Sequence, residues 1–122
     1  MNKLVNCKLK IKSIIDNKID VNVIEGKGYC KKDTYLVVYF TSNDIKYKYE
    51  YRDNELKIYC NDSQYCFKKG KNSFGKIKNG DYIFEITTFA SKLEVNENCV
   101  LLNYELLQNN SLIGKYETSL FF

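Results

Sequence analysis

The segment from Gly70 to Ile77, GKNSFGKI, has the residue types and spacing of a phosphate-binding loop, G-x-x-x-x-G-K. In such a loop a Ser or Thr follows the Lys, and its hydroxyl binds the magnesium ion that accompanies the phosphates. Here Ile77 holds that position. The loop must also open a helix whose backbone amides face the phosphates, and Asn79-Gly80-Asp81 would end a helix within one turn. We therefore predict a glycine-rich loop between two strands, without a nucleotide site.

Five cysteines are present, and the chain has no histidine. No two cysteines form a C-x-x-C pair, so their spacing indicates no zinc site. Without histidine the commonest general base is missing, and a cysteine nucleophile would lack its usual partner. We therefore expect no catalytic residues, no metal, no cofactor and no enzymatic activity. The cysteines are Cys7, Cys30, Cys60, Cys66 and Cys99.

Glu25 is a candidate ligand-binding residue because of its place in an alternating pattern. It continues the series Ile19, Val21 and Val23, whose apolar side chains are expected to face the protein interior. A carboxylate that pointed into the interior would need a partner or a raised pKa. A bulge at the following Gly26 would instead turn the Glu25 side chain outward, and both orientations remain open at this point.

Three tyrosines, Tyr47, Tyr49 and Tyr51, alternate with charged residues, which places them on one face of a predicted strand. Interleaved lysines and aromatic residues resemble a stacking platform for nucleic acid. On a strand, however, the tyrosines and the lysines would point to opposite faces. The tyrosine face is then either a half-buried core wall or the wall of a ligand cavity. The cavity-wall interpretation makes Tyr47 and Tyr49 candidate ligand-binding residues.

Two further tyrosines occupy comparable positions near the C-terminus. Tyr104 shares a face with Leu102 and Leu106 in one predicted strand, and Tyr116 shares a face with Leu120 in the next. Large aromatic residues on one face of successive strands would line the same interior. We therefore include Tyr104 and Tyr116 among the candidate ligand-binding residues.

The charge balance argues against specific recognition of nucleic acid. The chain has 122 residues and a net charge of +4, from nineteen basic and fifteen acidic residues. Arg52 is the only arginine, whereas base readout and bidentate phosphate contacts rely on arginine. We do not expect nucleic acid as a partner on these grounds, and we keep weak binding by the lysine faces as an alternative.

The N-terminal residues MNKLVNCKLKIK contain no apolar core of a signal peptide. No segment approaches the roughly 20 apolar residues that a membrane-spanning helix requires. Together with an odd number of cysteines, these features predict free thiols in a reducing cytoplasm, without a membrane association.

The dominant period of the chain is two, and turn signals rich in Asn, Asp and Ser recur every 8–12 residues. This pattern predicts eight to ten short antiparallel strands in one domain, residues 1–122. We expect Gly26 and Gly28 to mark a bulge or sharp bend inside a strand. The apolar chain end Phe121-Phe122 favours a last strand that pairs with the first. We therefore predict an all-β fold, a single antiparallel up-and-down β-barrel.

Two runs in the C-terminal half resemble a known family. TTFASKL at residues 87–93 and VLLNYEL at residues 100–106 are similar to the uncharacterised bacterial DUF1934 family. In that family a Thr precedes a basic-aliphatic pair, and a later strand carries an aliphatic-x-Tyr-x-Leu pattern. The opening strand through Ser13-Ile14-Ile15 is also similar, so the resemblance spans nearly the whole chain. The family's usual aromatic-Gly pair is not matched in position, because Phe74-Gly75 lies too early.

The resemblance implies a calycin-like, lipocalin-type barrel and brings no established activity. It also places Thr88 at the family's Thr, which adds Thr88 to the candidate ligand-binding residues. We expect a small, partly apolar ligand in the barrel interior, since a barrel of about eight strands can hold one. The alternatives are a protein-interaction module, a homodimeric barrel without an interior ligand, or a weak nucleic-acid binder.

Overall fold

The computed structural model describes residues 2–122, and every regular element in that range is a β-strand. The ten strands are β1 (Asn2–Ile15), β2 (Lys18–Lys32), β3 (Leu36–Ser42), β4 (Ile45–Arg52), β5 (Glu55–Cys60), β6 (Ser63–Lys68), β7 (Asn72–Asn79), β8 (Tyr82–Val95), β9 (Cys99–Gln108) and β10 (Ser111–Phe121). Within these residues no helix has the length and apolar character needed to cross a membrane.

The strands form one closed antiparallel barrel in which each strand pairs with its neighbours in sequence and β1 also pairs with β10. In the closing pair Leu9 lies opposite Leu120, and both side chains are almost fully buried. The predicted all-β, up-and-down barrel is therefore confirmed. Closure also occurs where the apolar C-terminus indicated it, between the first and last strands.

Short turns of Asn and Asp connect many of the strands. Four hairpins turn on two consecutive residues that both have positive φ, a conformation that Asn and Asp tolerate better than other side chains. These pairs are Asp16-Asn17, Asn43-Asp44, Asp53-Asn54 and Asn109-Asn110. Because a two-residue turn sets the register of its hairpin, these turns determine which side chains of the connected strands face inward.

The middle of the barrel is filled with apolar side chains. Alternate residues of neighbouring strands point inward, and the best buried of them are no more than 1% exposed. They are Val38, Phe40, Leu56, Phe67, Ala90, Val100, Leu102 and Leu120. A core packed in this way has room for a ligand only towards an end of the barrel.

The hairpin of β1 and β2 closes the barrel in a staggered manner. Residues Lys8–Ile14 of β1 pair with β10, whereas only Lys27–Lys32 of β2 pair with β3. The backbone of β2 from Lys18 to Glu25 therefore has no paired strand on its β3 side. Other strand segments also lack a partner on one side, for example Asn2–Cys7 of β1 towards β10 and Tyr82–Ile86 of β8 towards β9. Free edges of this kind can pair with another chain.

The predicted inward orientation of Ile19, Val21 and Val23 is wrong. These residues are 60%, 62% and 49% exposed and share the outer face with Glu25. Glu25 lies opposite Lys8 of β1, next to the inward Cys7 and Leu9, so it too points outward. At the end of a projecting hairpin both faces meet water, and apolar alternation no longer identifies the inner face.

Gly26 and Gly28 do not mark a bulge. The β1–β2 ladder runs without a register shift from Asn2 to Ile15. The two glycines instead allow β2 to pass very close to β3: a Cβ on Gly28 would lie 1.7 Å from the Tyr39 carbonyl oxygen, and one on Gly26 would lie 2.1 Å from that of Thr41. The register shifts that the structure does show lie in β8, between Ala90 and Lys92, and in β10, between Leu112 and Gly114.

The glycine-rich segment that resembles a phosphate-binding loop is a strand. β7 begins at Asn72, and Gly75 pairs with Tyr65 on one side and Ile86 on the other. The prediction of a loop between strands was wrong because Lys, Asn and Gly gave β7 little β-propensity of its own. A phosphate-binding loop must be followed by a helix. Lys76 instead lies within β7, which is followed by β8, as expected for a segment that is not such a loop.

The pairing of β6 with β7 is short. The two strands are directly opposed only at Gln64–Lys76 and Tyr65–Gly75. Two side-chain hydrogen bonds supplement this seam. The Lys78 amide donates to the Ser63 hydroxyl at 3.1 Å, and the Thr88 hydroxyl of β8 donates to the Cys66 carbonyl of β6.

Candidate functional site

Five inward-facing tyrosines lie together and form what we call the tyrosine cluster. Their positions follow from the alternation and register of β4, β6, β9 and β10. The members are Tyr47, Tyr49, Tyr65, Tyr104 and Tyr116. The cluster thus brings together all four tyrosines proposed from the sequence and adds Tyr65, which shares its face with Phe67. The sequence signal for Tyr65 was present in this alternation, although β6 is only six residues long.

The rings of the cluster are packed against one another and against the core. The Tyr104 and Tyr116 rings are stacked with centres 4.9 Å apart, and the Tyr104 ring also contacts Phe67 at 4.7 Å. On the other side of the barrel Tyr47 stacks on Phe40 at 4.8 Å. These contacts fix the ring positions, because aromatic pairs at such distances add stability beyond simple burial.

Two glycines make room for the tyrosine rings. Gly75 faces inward, and a Cβ there would lie 3.3 Å from Cδ1 of Tyr65. A Cβ on Gly114 would lie 3.0 Å from the Tyr116 hydroxyl and 3.1 Å from Cγ1 of Ile15. The Tyr116 hydroxyl is therefore directed towards the end of the barrel where β1 turns into β2.

The cluster borders an opening of the barrel. Tyr49 is only 4% exposed, but Tyr65, Tyr104 and Tyr116 are half-buried although they point inward. An inward-facing side chain remains exposed only where the interior meets solvent. We call this region the tyrosine mouth; it lies above the filled centre of the barrel.

Burial keeps the phenols of the cluster protonated. Burial raises the pKa of Tyr104 well above its usual value, and the nearby Tyr49, Tyr116 and Tyr65 add to this effect. The pKa of Tyr49 is also raised, chiefly by burial and then by Tyr47 and Cys60. At neutral pH each hydroxyl can therefore donate and accept a hydrogen bond.

The inner surface near the cluster carries no charge. In β3 to β10 all inward positions defined by the strand registers hold apolar residues, tyrosine, Ser, Thr, Asn, Gln, Gly or Cys. Cys60 lies close to Tyr47, Tyr49 and Tyr65, and burial raises the pKa of its thiol. The chemistry available at the mouth is therefore ring stacking, apolar contact and neutral hydrogen bonding.

Thr88 and Glu25 are not part of this mouth. Thr88 is fully buried, and its hydroxyl is already engaged with the Cys66 carbonyl, so it holds β6 to β8. Glu25 lies on the outer surface opposite Lys8. Among residues 2–122 no three Cys, Asp or Glu side chains are grouped in a way that would hold a metal ion.

Comparisons with known proteins give one informative result. No protein-family model matches the chain, and no curated protein matches its sequence significantly. The structure resembles the crystal structure of the ywiB protein from Bacillus subtilis, with a TM-score of 0.75 over 98% of this chain and 92% of that chain. The sequences are 12% identical in this alignment. The chain therefore has a YwiB-like fold, and the likeness extends to the fold alone.

Proposed function

We propose that this chain is a non-enzymatic member of the DUF1934 family that binds a small, neutral, partly apolar molecule at the tyrosine mouth. The family assignment is supported by the two C-terminal sequence runs and by the YwiB-like fold. The binding proposal is supported by one observation above all. Tyr65, Tyr104 and Tyr116 face inward and yet are only partly buried above a filled core.

The chemistry of the mouth selects the class of ligand. Neutral phenols offer hydrogen bonds and ring faces but cannot compensate a buried charge, whose desolvation is costly. The packed centre of the barrel limits the size of the ligand. The expected ligand is a small molecule with an aromatic or aliphatic body and one or two carbonyl or hydroxyl groups.

The state of the cysteines supports a reducing location for this activity. All five are free thiols, and structural disulfides are the usual sign of an oxidising compartment. We therefore place the proposed function in the cytoplasm.

Native mass spectrometry of the purified protein tests the proposal directly, because a bound small molecule adds a defined mass. NMR titration with small neutral aromatic amides then locates binding. We expect signals of Tyr104 and Tyr116 to shift, and we expect Tyr116→Phe to weaken binding about tenfold through the loss of one buried hydrogen bond. Tyr29→Phe is the matched control, because Tyr29 lies on the outer face of β2 and is 37% exposed. Equal effects of both substitutions, or shifts confined to the outer surface, would refute the site.

A second candidate function is homodimer formation through the free edge of β2. Residues Lys18–Glu25 have no paired strand on their β3 side, and Val21 near the middle of this segment is 62% exposed. If two copies pair antiparallel about Val21, Val21 faces its own counterpart and Ile19 faces Val23, which gives an entirely apolar outer row. Isologous pairing of this kind is the commonest route to a symmetric dimer.

A further inference from the structure

The outer surface of the barrel is divided into two walls of different charge. One wall consists of the outward positions of β2 from Lys27 onward and of β3 to β7, as the strand registers define them. It carries nine basic and two acidic residues; we call it the basic wall. The basic residues are Lys27, Lys31, Lys46, Lys48, Arg52, Lys57, Lys68, Lys76 and Lys78, and the acidic residues are Glu50 and Glu55.

The remaining outward positions are electrically balanced. The outward positions of β1, of β2 before Gly26 and of β8 to β10 hold equal numbers of basic and acidic residues, five of each. They are Lys8, Lys10, Lys12, Lys92 and Lys115 against Glu25, Glu85, Glu94, Glu105 and Glu117. The positive excess among the outward strand positions is therefore confined to one wall, although the net charge of the whole chain is only +4.

Aromatic side chains cross the middle of the basic wall. Adjacent positions of β2, β3, β4 and β5 form the row Tyr29, Tyr39, Lys48 and Tyr59. The rings of Tyr29 and Tyr39 are stacked with centres 5.3 Å apart, and the ammonium of Lys48 lies 5.3 Å from the centre of the Tyr59 ring. Tyr29 is 37% exposed, and Tyr39 and Tyr59 are half-buried. The same register continues through Gln64 to Lys76.

The two acidic residues of the basic wall, Glu50 and Glu55, already form ion pairs with lysines of the wall, mostly beside the aromatic row. Glu55 pairs with Lys57 at 3.8 Å and with Lys68 at 3.7 Å, and Glu50 pairs with Lys48 at 3.5 Å.

Turn residues at the ends of the wall engage further basic side chains. Asp33, Asp53 and Asp62 lie within 3.5–3.7 Å of Lys31, Arg52 and Lys78, respectively. The fourth acidic turn residue, Asp44, lies at the β3–β4 turn.

Three lysines of the basic wall make no ion pair with any residue of the described chain: Lys27, Lys46 and Lys76. Lys76 lies in the aromatic row, and Lys27 and Lys46 lie in the next row, on either side of Thr41. These three lysines therefore border the aromatic rings, and Lys76 also lies directly opposite Glu85 of β8 without an ion pair between them.

We propose that the basic wall binds single-stranded nucleic acid. Phosphates would contact Lys27, Lys46 and Lys76, and unpaired bases would stack on the rings of Tyr29, Tyr39 and Tyr59, as aromatic platforms in positively charged grooves do. Lysine acts on phosphate as a point charge, and the wall has one arginine, Arg52, at its edge. Binding is therefore independent of base sequence and strongly dependent on salt. This site lies outside the barrel and does not rest on the ligand proposed at the tyrosine mouth.

Fluorescence anisotropy with a labelled mixed-sequence DNA strand of about 12 nucleotides measures this binding, since such strands match typical site sizes. The triple variant K27Q/K46Q/K76Q removes the free lysines, and K8Q/K10Q/K12Q removes the same charge from the balanced wall. We expect the first variant to bind at least about tenfold more weakly at 50 mM salt and the second to change binding less than about twofold. The salt slope of the first variant should fall by about 2, as the loss of three phosphate contacts predicts for single strands.

A second pair of variants tests stacking. Tyr59→Thr keeps a residue that favours strands and should weaken binding about tenfold, the effect of losing one stacked base. Tyr82→Thr removes an exposed ring outside the wall and should have no effect. Four results would overturn the proposal: no binding at low salt, equal losses for the two triple variants, tighter binding of a duplex than of the single strand, or equal binding to anionic lipid vesicles.

Discussion

The Thr88 hydroxyl donates a hydrogen bond to the Cys66 carbonyl across two strands of the barrel. β7 lies between β6 and β8 in the strand order but diverges from β6 beyond Tyr65. The Cys66 carbonyl therefore has no β7 amide directly opposite it, and a buried side chain of β8 satisfies it instead. Thr88 thus replaces a missing piece of the backbone ladder.

The Thr88→Val substitution should destabilise the fold. It preserves the shape of the side chain but leaves the buried Cys66 carbonyl without its donor, which costs about 1–3 kcal/mol. Chemical denaturation measures this loss. Hydrogen exchange should show faster opening of the amides of β6, because the bond holds that strand.

Thr118→Val is the control for this prediction. The Thr118 hydroxyl donates to Leu102 at 2.8 Å, but these residues already lie opposite each other in the β9–β10 ladder. Exchange in β6 should remain unchanged in this variant. If both variants accelerate exchange in β6 to the same extent, Thr88 has no special role at the seam.

Gly28→Ala should be far more damaging than Gly114→Ala. The added methyl group at position 28 would overlap the Tyr39 carbonyl oxygen, at 1.7 Å, and backbone cannot move aside cheaply. At position 114 the nearest atom is the end of the Tyr116 side chain, at 3.0 Å, which can shift. We expect Gly28→Ala to lose more than about 3 kcal/mol or to remain unfolded. Wild-type thermal stability of Gly28→Ala would show that β2 does not pass β3 as closely as described.

Stability should fall at alkaline pH. Burial, with a smaller effect of Cys30, raises the pKa of Cys7 from 9.0 to about 11. Well below pH 9 the thiol is protonated in both the folded and the unfolded chain, so pH has no effect through this group. Between about pH 9 and 11 the unfolded chain loses the proton more readily, and the free energy of unfolding decreases.

Urea denaturation at several pH values between 8 and 11 measures this decrease. The Cys7→Ala variant lacks the titrating group, so its stability should fall less steeply over the same interval, although its stability at pH 8 is lower. The raised pKa values of Tyr49 and Tyr104 act in the same direction. Stability that rises with pH in this interval would contradict the buried state of these groups.

The oligomeric state tests the free edge of β2. We expect light scattering to show a dimer at micromolar concentration and Val21→Lys to convert it to a monomer by placing two charges face to face. Leu4→Lys is the matched control, because Leu4 is an 89% exposed apolar residue on β1. A wild-type monomer at all concentrations would eliminate this interface, and loss of the dimer in Leu4→Lys alone would move it to the other end of the barrel.

The strands and their closure were predictable because local signals agreed with the fold. Alternation marked β1, β4 and β9, and pairs of Asn and Asp marked the tight turns. β7 was missed because its residues have little intrinsic preference for a strand and are held by pairing with β8 on one side. Such a strand forms through tertiary contacts that a local pattern does not contain.

The site was only partly predictable for related reasons. Alternation placed Tyr47, Tyr49, Tyr104 and Tyr116 on inward faces. It gave the wrong face for Ile19, Val21 and Val23 and left the face of Glu25 open, because the tip of the β1–β2 hairpin is exposed to solvent on both faces. The sequence indicated lysine faces that could bind nucleic acid weakly, but it did not predict that the basic residues gather on one wall. A net charge of +4 conceals it, since the separation of lysines from carboxylates arises only when strands distant in sequence become neighbours.

The pairing between β6 and β7 is the shortest between adjacent strands of the barrel. Every other adjacent pair of strands is opposed at six or more positions, whereas this pair is opposed at two. Local opening of the barrel should therefore begin between β6 and β7, because separating these strands breaks the fewest backbone hydrogen bonds. A ligand that entered between β6 and β7 would reach Tyr65 and Phe67 without passing through the tyrosine mouth. Its association rate would then be limited by the rate at which these two strands separate.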